Sequence, residues 1–239
     1  VDLGDTYSPV KAADRFLTDE LDVIIDLHGH TLHSGLPLLA HPSLSNILKL
    51  SFCGWPQTTG AAFIDHMVAD KVVAVPEQAS REFTEKLIML PESYLPADHA
   101  NLVGSVLSRP RATAGDVNHT SSFAFGSLSS FQKLDSSVFD VWANILRRSS
   151  SRSVLRLMRY ALHDLAEPRL REELAARGVH PSRLELTPMA PWLDHVWRKT
   201  HLDVMLDSIV KSGHSVMQDG LWAQVPTVSL AGNRMEARA

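Results

Sequence analysis

One cysteine in 239 residues, Cys53, excludes any internal disulfide and suits a reducing compartment. No apolar run approaches the ~18 residues that a membrane-spanning helix needs. The opening stretch, VDLGDTYSPVKAADRF, has neither the basic nor the apolar region of a secretory signal. These features point to a soluble, intracellular protein without a membrane span. Basic residues are not in excess: 23 Lys plus Arg stand against 27 Asp plus Glu, a net charge of -4. That balance removes general electrostatic binding of nucleic acid. The G-x-S-x-G elbow of serine hydrolases is missing, as is any internal repeat at the usual periods of about 20–50 residues. What remains is ordinary globular usage, 44% hydrophobic and 21% charged.

The hydrophobic pattern alternates between strand-like and helix-like segments. SFAFGSL, VLRLMR, RLELT and LDVML read as strands. Between them lie helical stretches at about 135–148, 167–177 and 193–199, followed by a helix at 215–223 and a last strand at 226–230. Such alternation with short connections argues for a parallel sheet with helices on its faces. The first part repeats the theme with VIIDL, a run suited to a buried parallel strand, and with strands near 48–52, 64–68 and 86–90. From 96 to 120 the periodicity fades into Gly, Pro, Ser, Arg and His, as expected of a linker. The division is therefore a first unit over 1–98, a linker over 99–120 and a second unit over 121–239.

Ligands of open α/β folds gather at the carboxyl edge of the sheet. SGHSVMQDGLWAQVP, at 212–226, lies there between a strand and a helix. Gly213 permits a tight turn, and Ser215 with Gln218 matches the S-x-x-Q capping box. The remaining amides of the helix start form an anion site, with phosphate the usual occupant. Asp219 is either a ribose acceptor or an acid that complements the helix dipole. Lys133, after SFAFGSL, is placed to neutralise a departing diphosphate or is a plain surface lysine. His195, in APWLDHVWRK, is either a phosphate or proton partner or an ordinary helix histidine. His28 and His30 form an H-x-H pair after VIIDL, which opens a zinc-hydrolase alternative. Cys53 has no base at a matching spacing and reads as a buried thiol.

Seven strings carry a further signal in one order: IIDLHGHTLHSGLPLLAH, GWPQTTGAAFID, EKLIMLPESYLPADHA, SFQKLDSSVFDVWANILRR, ARGVHPSRLELTPMAP, HLDVMLDS and GHSVMQDGLWAQVPTVSLAGNRMEARA. Together they resemble the catalytic region of protein O-GlcNAc transferases, glycosyltransferase family 41. The resemblance implies a GT-B architecture of two Rossmann-like lobes, with the N-terminal lobe incomplete. It implies transfer of N-acetylglucosamine from UDP-GlcNAc to Ser or Thr hydroxyls of intracellular proteins, with inversion and without a metal or other cofactor. On this resemblance Lys133 steadies the diphosphate leaving group, and backbone groups of Met189 and Ala190 meet the uracil. His195 lies near the nucleotide, His214 and Ser215 in the phosphate loop, and Asp219 at the ribose. Gly54 and Tyr160 shape the sugar pocket.

The chain departs from the family pattern at several points. Ser215 and Val216 stand where two threonines are usual, and Trp192 where a lysine is frequent. PSLSNILKL replaces an RPAP-type segment with two extra residues. The tetratricopeptide repeats and the part of the N-terminal lobe that carries the family's proposed catalytic histidine have no counterpart here, so weak or no turnover is expected. Protein O-fucosylation from GDP-fucose and a non-catalytic nucleotide- or protein-binding role are the neighbouring alternatives.

Overall fold

The computed structural model describes residues 8–104, 123–159 and 163–238. They divide into two compact units, residues 1–96 with 233–239, and residues 97–232. In the first, α1 (Pro9–Thr18) leads to β1 (Val23–Asp26). Then come α2 (Leu36–Leu39), β2 (Leu48–Ser51), β3 (His66–Asp70), α3 (Pro76–Glu82) and β4 (Lys86–Leu90). All four strands are parallel and follow chain order, β1-β2-β3-β4. One core gathers Met67 and Ala69 of β3 with Phe83, Tyr94 and Met235. A second joins Ala12 and Ala13 of α1 to Leu38, Leu44 and Ile47.

Three expectations are corrected here. VIIDL is not fully buried: β1 is an edge strand, and Val23 and Ile25 are 43% and 53% exposed. Its apolar run serves one covered face, where Ile24 packs against the α1 core. Within the stretch read as a linker, residues 99–103 form a helix, α4 (His99–Val103), whose His99 and Val103 are buried. The remainder of that stretch, from 105, lies outside the described residues. The last residues, expected with the second unit, instead bury Met235 in the first unit's core.

The second unit is built on five parallel strands: β5 (Ala124–Ser127), β6 (Val154–Arg159), β7 (Leu184–Pro188), β8 (Val204–Leu206) and β9 (Thr227–Val228). Between them run α5 (Ser136–Arg148), α6 (His163–Ala176), α7 (Trp192–Lys199) and α8 (Ser215–Trp222). The helix α5 buries Val138, Phe139, Trp142, Ala143 and Leu146, an i, i+1, i+4 stripe, against Leu155 and Leu157 of β6. On the opposite face Ala124, Val154, Val196, Leu202 and Met205 form a separate core. The sheet is thus covered on both sides, which suits a parallel sheet. Gly178 ends α6 in the left-handed region at φ +73°, as a C′ glycine does.

Strand order is β7-β6-β5-β8-β9. The chain moves outward from β5 to β7, then returns to β8 on the other side of β5. That reversal, at the carboxyl ends of β5 and β8, is where ligands of open α/β sheets usually gather.

Asp135 caps α5, its carboxylate accepting from the Val138 amide at 2.8 Å and from the Ser137 hydroxyl at 2.7 Å. These bonds hold its carboxyl below the usual aspartate range. Asp135→Ala is expected to cost about 1 kcal/mol of unfolding free energy at neutral pH, read from the urea midpoint. The gap between the two proteins should close as pH falls through the lowered aspartate value, where the wild-type cap is lost.

Candidate nucleotide site at the strand-order reversal

The loop after β5 turns through a short 3-10 segment, Phe131–Lys133, and brings Lys133 to that reversal. Its Nζ donates to the Ser212 carbonyl oxygen at 2.7 Å, so the two loops that flank the reversal touch at this lysine. Burial, with Lys211 nearby, pushes the Lys133 ammonium down to about 8 against the opposing pull of Asp207. Asp207, at the end of β8, accepts from its neighbour's amide, Ser208 N, at 2.8 Å and from Ser229 Oγ at 2.7 Å. Burial nevertheless raises its carboxyl above the usual range. The reversal therefore holds two lysines over one half-compensated acid, a local field suited to an anionic ligand.

The turn into α8 is built differently from the expected capping box. His214, not Ser215, is the N-cap; it has φ +46° and makes no side-chain cap bond. Ser215 is already the first helical residue, so its hydroxyl is out of N-cap geometry. Among the described residues neither its amide nor its hydroxyl has a hydrogen-bond partner. A histidine held at positive φ stores backbone strain, a frequent feature of ligand-holding turns. Val216 packs against the core around Met205.

Asp219 lies in the second turn of α8, further in than its sequence position suggested, and is 4% exposed. Oδ2 accepts from Lys199 Nζ at 3.0 Å. Oδ1 accepts from Trp192 Nε1 at 3.2 Å and hydrogen-bonds His99 Nε2 at 2.8 Å. Lys199 is fully buried, and burial pushes its ammonium down to about 8 while Asp219 opposes the shift. Neither Lys199 nor His99 was singled out by sequence reasoning. The available signal was a lysine three residues after Val196, on the buried face of α7.

The segment after β7 carries Met189, which is exposed, and Ala190, which is half-buried. Arg198 of α7 donates to the Pro188 carbonyl at 2.5 Å and so fixes the start of this segment. His195, half-buried on α7, is driven down to about 4 by burial, with Lys199 and Arg198 adding to the effect and Asp219 opposing it. Its imidazole is neutral at physiological pH. Lys133, His214 and Ser215 thus cluster at the reversal, while Asp219 and Trp192 tie α8 to α7. Tyr160 lies outside the described residues.

Gly54 belongs to the first unit. A Cβ there would stand 1.9 Å from the Leu27 carbonyl oxygen, so the loop after β2 packs on the loop after β1 only through a glycine. The histidines of the H-x-H pair have structural surroundings. Asp26 accepts from the backbone amides of His28 and Gly29 at 3.3 and 2.7 Å, and His30 Nε2 sits 2.7 Å from the Thr59 carbonyl. Among the described residues no three His, Cys, Asp or Glu side chains converge as a metal-binding group. Cys53 is half-buried rather than buried, and desolvation raises its thiol.

Comparison with known proteins adds to this geometry. The profile of glycosyl transferase family 41 matches residues 1–122 and 119–239. The chain belongs to that family. Among its relatives is the probable UDP-N-acetylglucosamine–peptide N-acetylglucosaminyltransferase SEC of Arabidopsis thaliana, 32% identical over 223 residues, covering 92% of this chain and 22% of the relative. The corresponding SPINDLY protein of Oryza sativa subsp. japonica is 28% identical over 225 residues, covering 93% and 23%. A solved structure of a mutant O-GlcNAc transferase from Thermobaculum terrenum superposes with a TM-score of 0.80 at 26% identity, over 98% of this chain and 42% of that one. The family 41 chain described here therefore spans under a quarter of these curated relatives' length, and its α/β architecture is the GT-B type of that structural neighbour. No helix among the described residues is long and apolar enough to cross a membrane.

Removing the counter-charge of a buried acid is costly. Lys199→Met is expected to destabilise the protein by roughly 3–5 kcal/mol. Lys199→Met combined with Asp219→Asn should recover much of that loss, since the uncompensated charge is then gone. Urea unfolding of the three proteins checks both outcomes.

Proposed function

We propose that this chain is the nucleotide-sugar-binding part of a protein O-GlcNAc transferase, taking UDP-GlcNAc as donor and Ser or Thr hydroxyls of proteins as acceptors. The observation that carries the reading is Lys133 Nζ at 2.7 Å from the Ser212 carbonyl, which joins the two loops at the reversal around one ammonium. A diphosphate seated there replaces that carbonyl as acceptor and meets Lys133 and the unused amide of Ser215. As the glycosidic oxygen departs, negative charge grows on the diphosphate, and the ammonium stabilises it. The positive charge comes from Lys133 with Lys211 beside it, so the proposed reaction needs no metal or other cofactor.

Within the same reading, backbone groups of Met189 and Ala190 receive the uracil, with their segment steadied by Arg198. The neutral imidazole of His195 serves as a hydrogen-bond partner of the nucleotide, and Asp219 accepts from the ribose. His214 belongs to the phosphate loop. Names of the relatives, which specify UDP-N-acetylglucosamine and a peptide, support this donor and acceptor. The natural place for the longer protein is the cytoplasm or nucleus, in keeping with a half-buried free thiol at Cys53.

Calorimetric titration of the chain with UDP, and with GDP as the competing nucleotide, tests the reading: heat with UDP and none with GDP is expected. Lys133→Ala should weaken UDP binding ten- to hundredfold, about 1.5–3 kcal/mol for one charge-assisted contact. Added EDTA should leave the affinity unchanged.

The pH dependence has a definite sign. Protonated Lys133 is the binding form, and in the free protein that ammonium titrates at about 8. Affinity for UDP should hold up to that pH and then fall by up to tenfold per unit, with proton uptake on binding. Lys133→Ala should abolish that slope.

A further inference from the structure

Three donors meet Asp219, and they are not equivalent. Lys199 is 0% exposed and His99 9%, so both are fixed in the interior, whereas Trp192 is 43% exposed. The Trp192 bond, at 3.2 Å, is also the longest of the three, against 2.8 Å for His99 and 3.0 Å for Lys199. Its donor is a neutral indole N–H, which binds a carboxylate less strongly than an ammonium does. Of the three, the indole bond is therefore the weakest held and the one that can be exchanged.

A carboxylate has about four acceptor positions. Three donors already converge on this nearly buried carboxylate, so a ribose hydroxyl reaches it at the expense of one of them. Trp192 opens α7, two residues after Ala190, and its ring stands edge-on to His99 with centroids 5.7 Å apart. The ammonium on Asp219 comes from Lys199 at the far end of the same helix. Position 192 is then free to carry a neutral aromatic donor.

We infer that Trp192 is a positioning residue that competes with the nucleotide's ribose for Asp219, so that this chain exchanges its indole N–H bond for a ribose hydroxyl on binding. The inference rests on the nucleotide reading proposed above. An exchange of one hydrogen bond for another yields little net affinity, so the ribose hydroxyls are read weakly while the indole is present. Removing the N–H and keeping the ring leaves Asp219 open to them.

The test is calorimetric titration of the full chain and of Trp192→Phe with UDP and with 2′,3′-dideoxy-UDP. The wild-type protein is expected to prefer UDP by less than about threefold. In Trp192→Phe the UDP affinity should rise by roughly three- to tenfold, with the dideoxy affinity unchanged. A purely structural role for Trp192 would move both ligands together. If UDP binds but its preference over the dideoxy ligand is the same in both proteins, the inference is overturned and the nucleotide reading stands. If UDP does not bind the wild-type chain, both fail. A second readout does not depend on a change in affinity: in chain labelled with 15N-tryptophan, the Trp192 indole N–H resonance should shift with UDP and not with the dideoxy ligand. That resonance is the one of five missing from Trp192→Phe, or from Trp192→Lys should the first variant not fold. An indole signal unmoved by saturating UDP overturns the inference.

Discussion

A parallel sheet whose chain reverses direction across one strand has an unavoidable consequence at its carboxyl edge. The loops leaving the two central strands turn to opposite faces, and a gap opens between them. In the second unit that gap falls between β5 and β8, and Lys133 spans it to the Ser212 carbonyl. The positive φ of His214, the raised acid at Asp207 and the lowered ammonium at Lys133 all arise where backbone and charge are packed around that opening. Positive groups fixed in advance by the fold suit such a place to an anionic ligand.

A second constraint is the burial of Asp219. A carboxylate at 4% exposure is tolerable only when its oxygens are met, and two helices contribute three donors to it: α4 through His99 and α7 through Trp192 and Lys199, with α8 carrying the acid itself. The group that the family resemblance assigns to the ribose is thus also a tie between helices. Of the two readings left open in the sequence, these bonds support the structural one: two interior donors and one exposed donor hold the acid between helices.

The first unit relies on close backbone approach rather than on charge. Gly54 against the Leu27 carbonyl and Gly29 against Trp55 bring the loops after β1 and β2 together, and the exposed H-x-H histidines flank that packing, with the His30 ring edge-on to Trp55. A histidine spacing that reads as metal-binding on paper is here a loop junction, since Asp26 and Thr59 engage its backbone and His30.

Sequence by itself determined the parallel α/β class, the strands at VLRLMR and KLIML, the helix at 135–148, and the placing of Lys133 and the 212–219 turn beside strand ends. Each of these depends on side-chain periodicity or on capping chemistry within a few residues, and such local terms are written in the chain order. Only tertiary structure decided that VIIDL is an edge strand, that Met235 returns to the first unit's core, and that Asp219 meets Lys199, Trp192 and His99 from 20, 27 and 120 residues away. The energy of a buried charge is set by whatever surrounds it in space, and no spacing along the chain encodes which distant donors will be there.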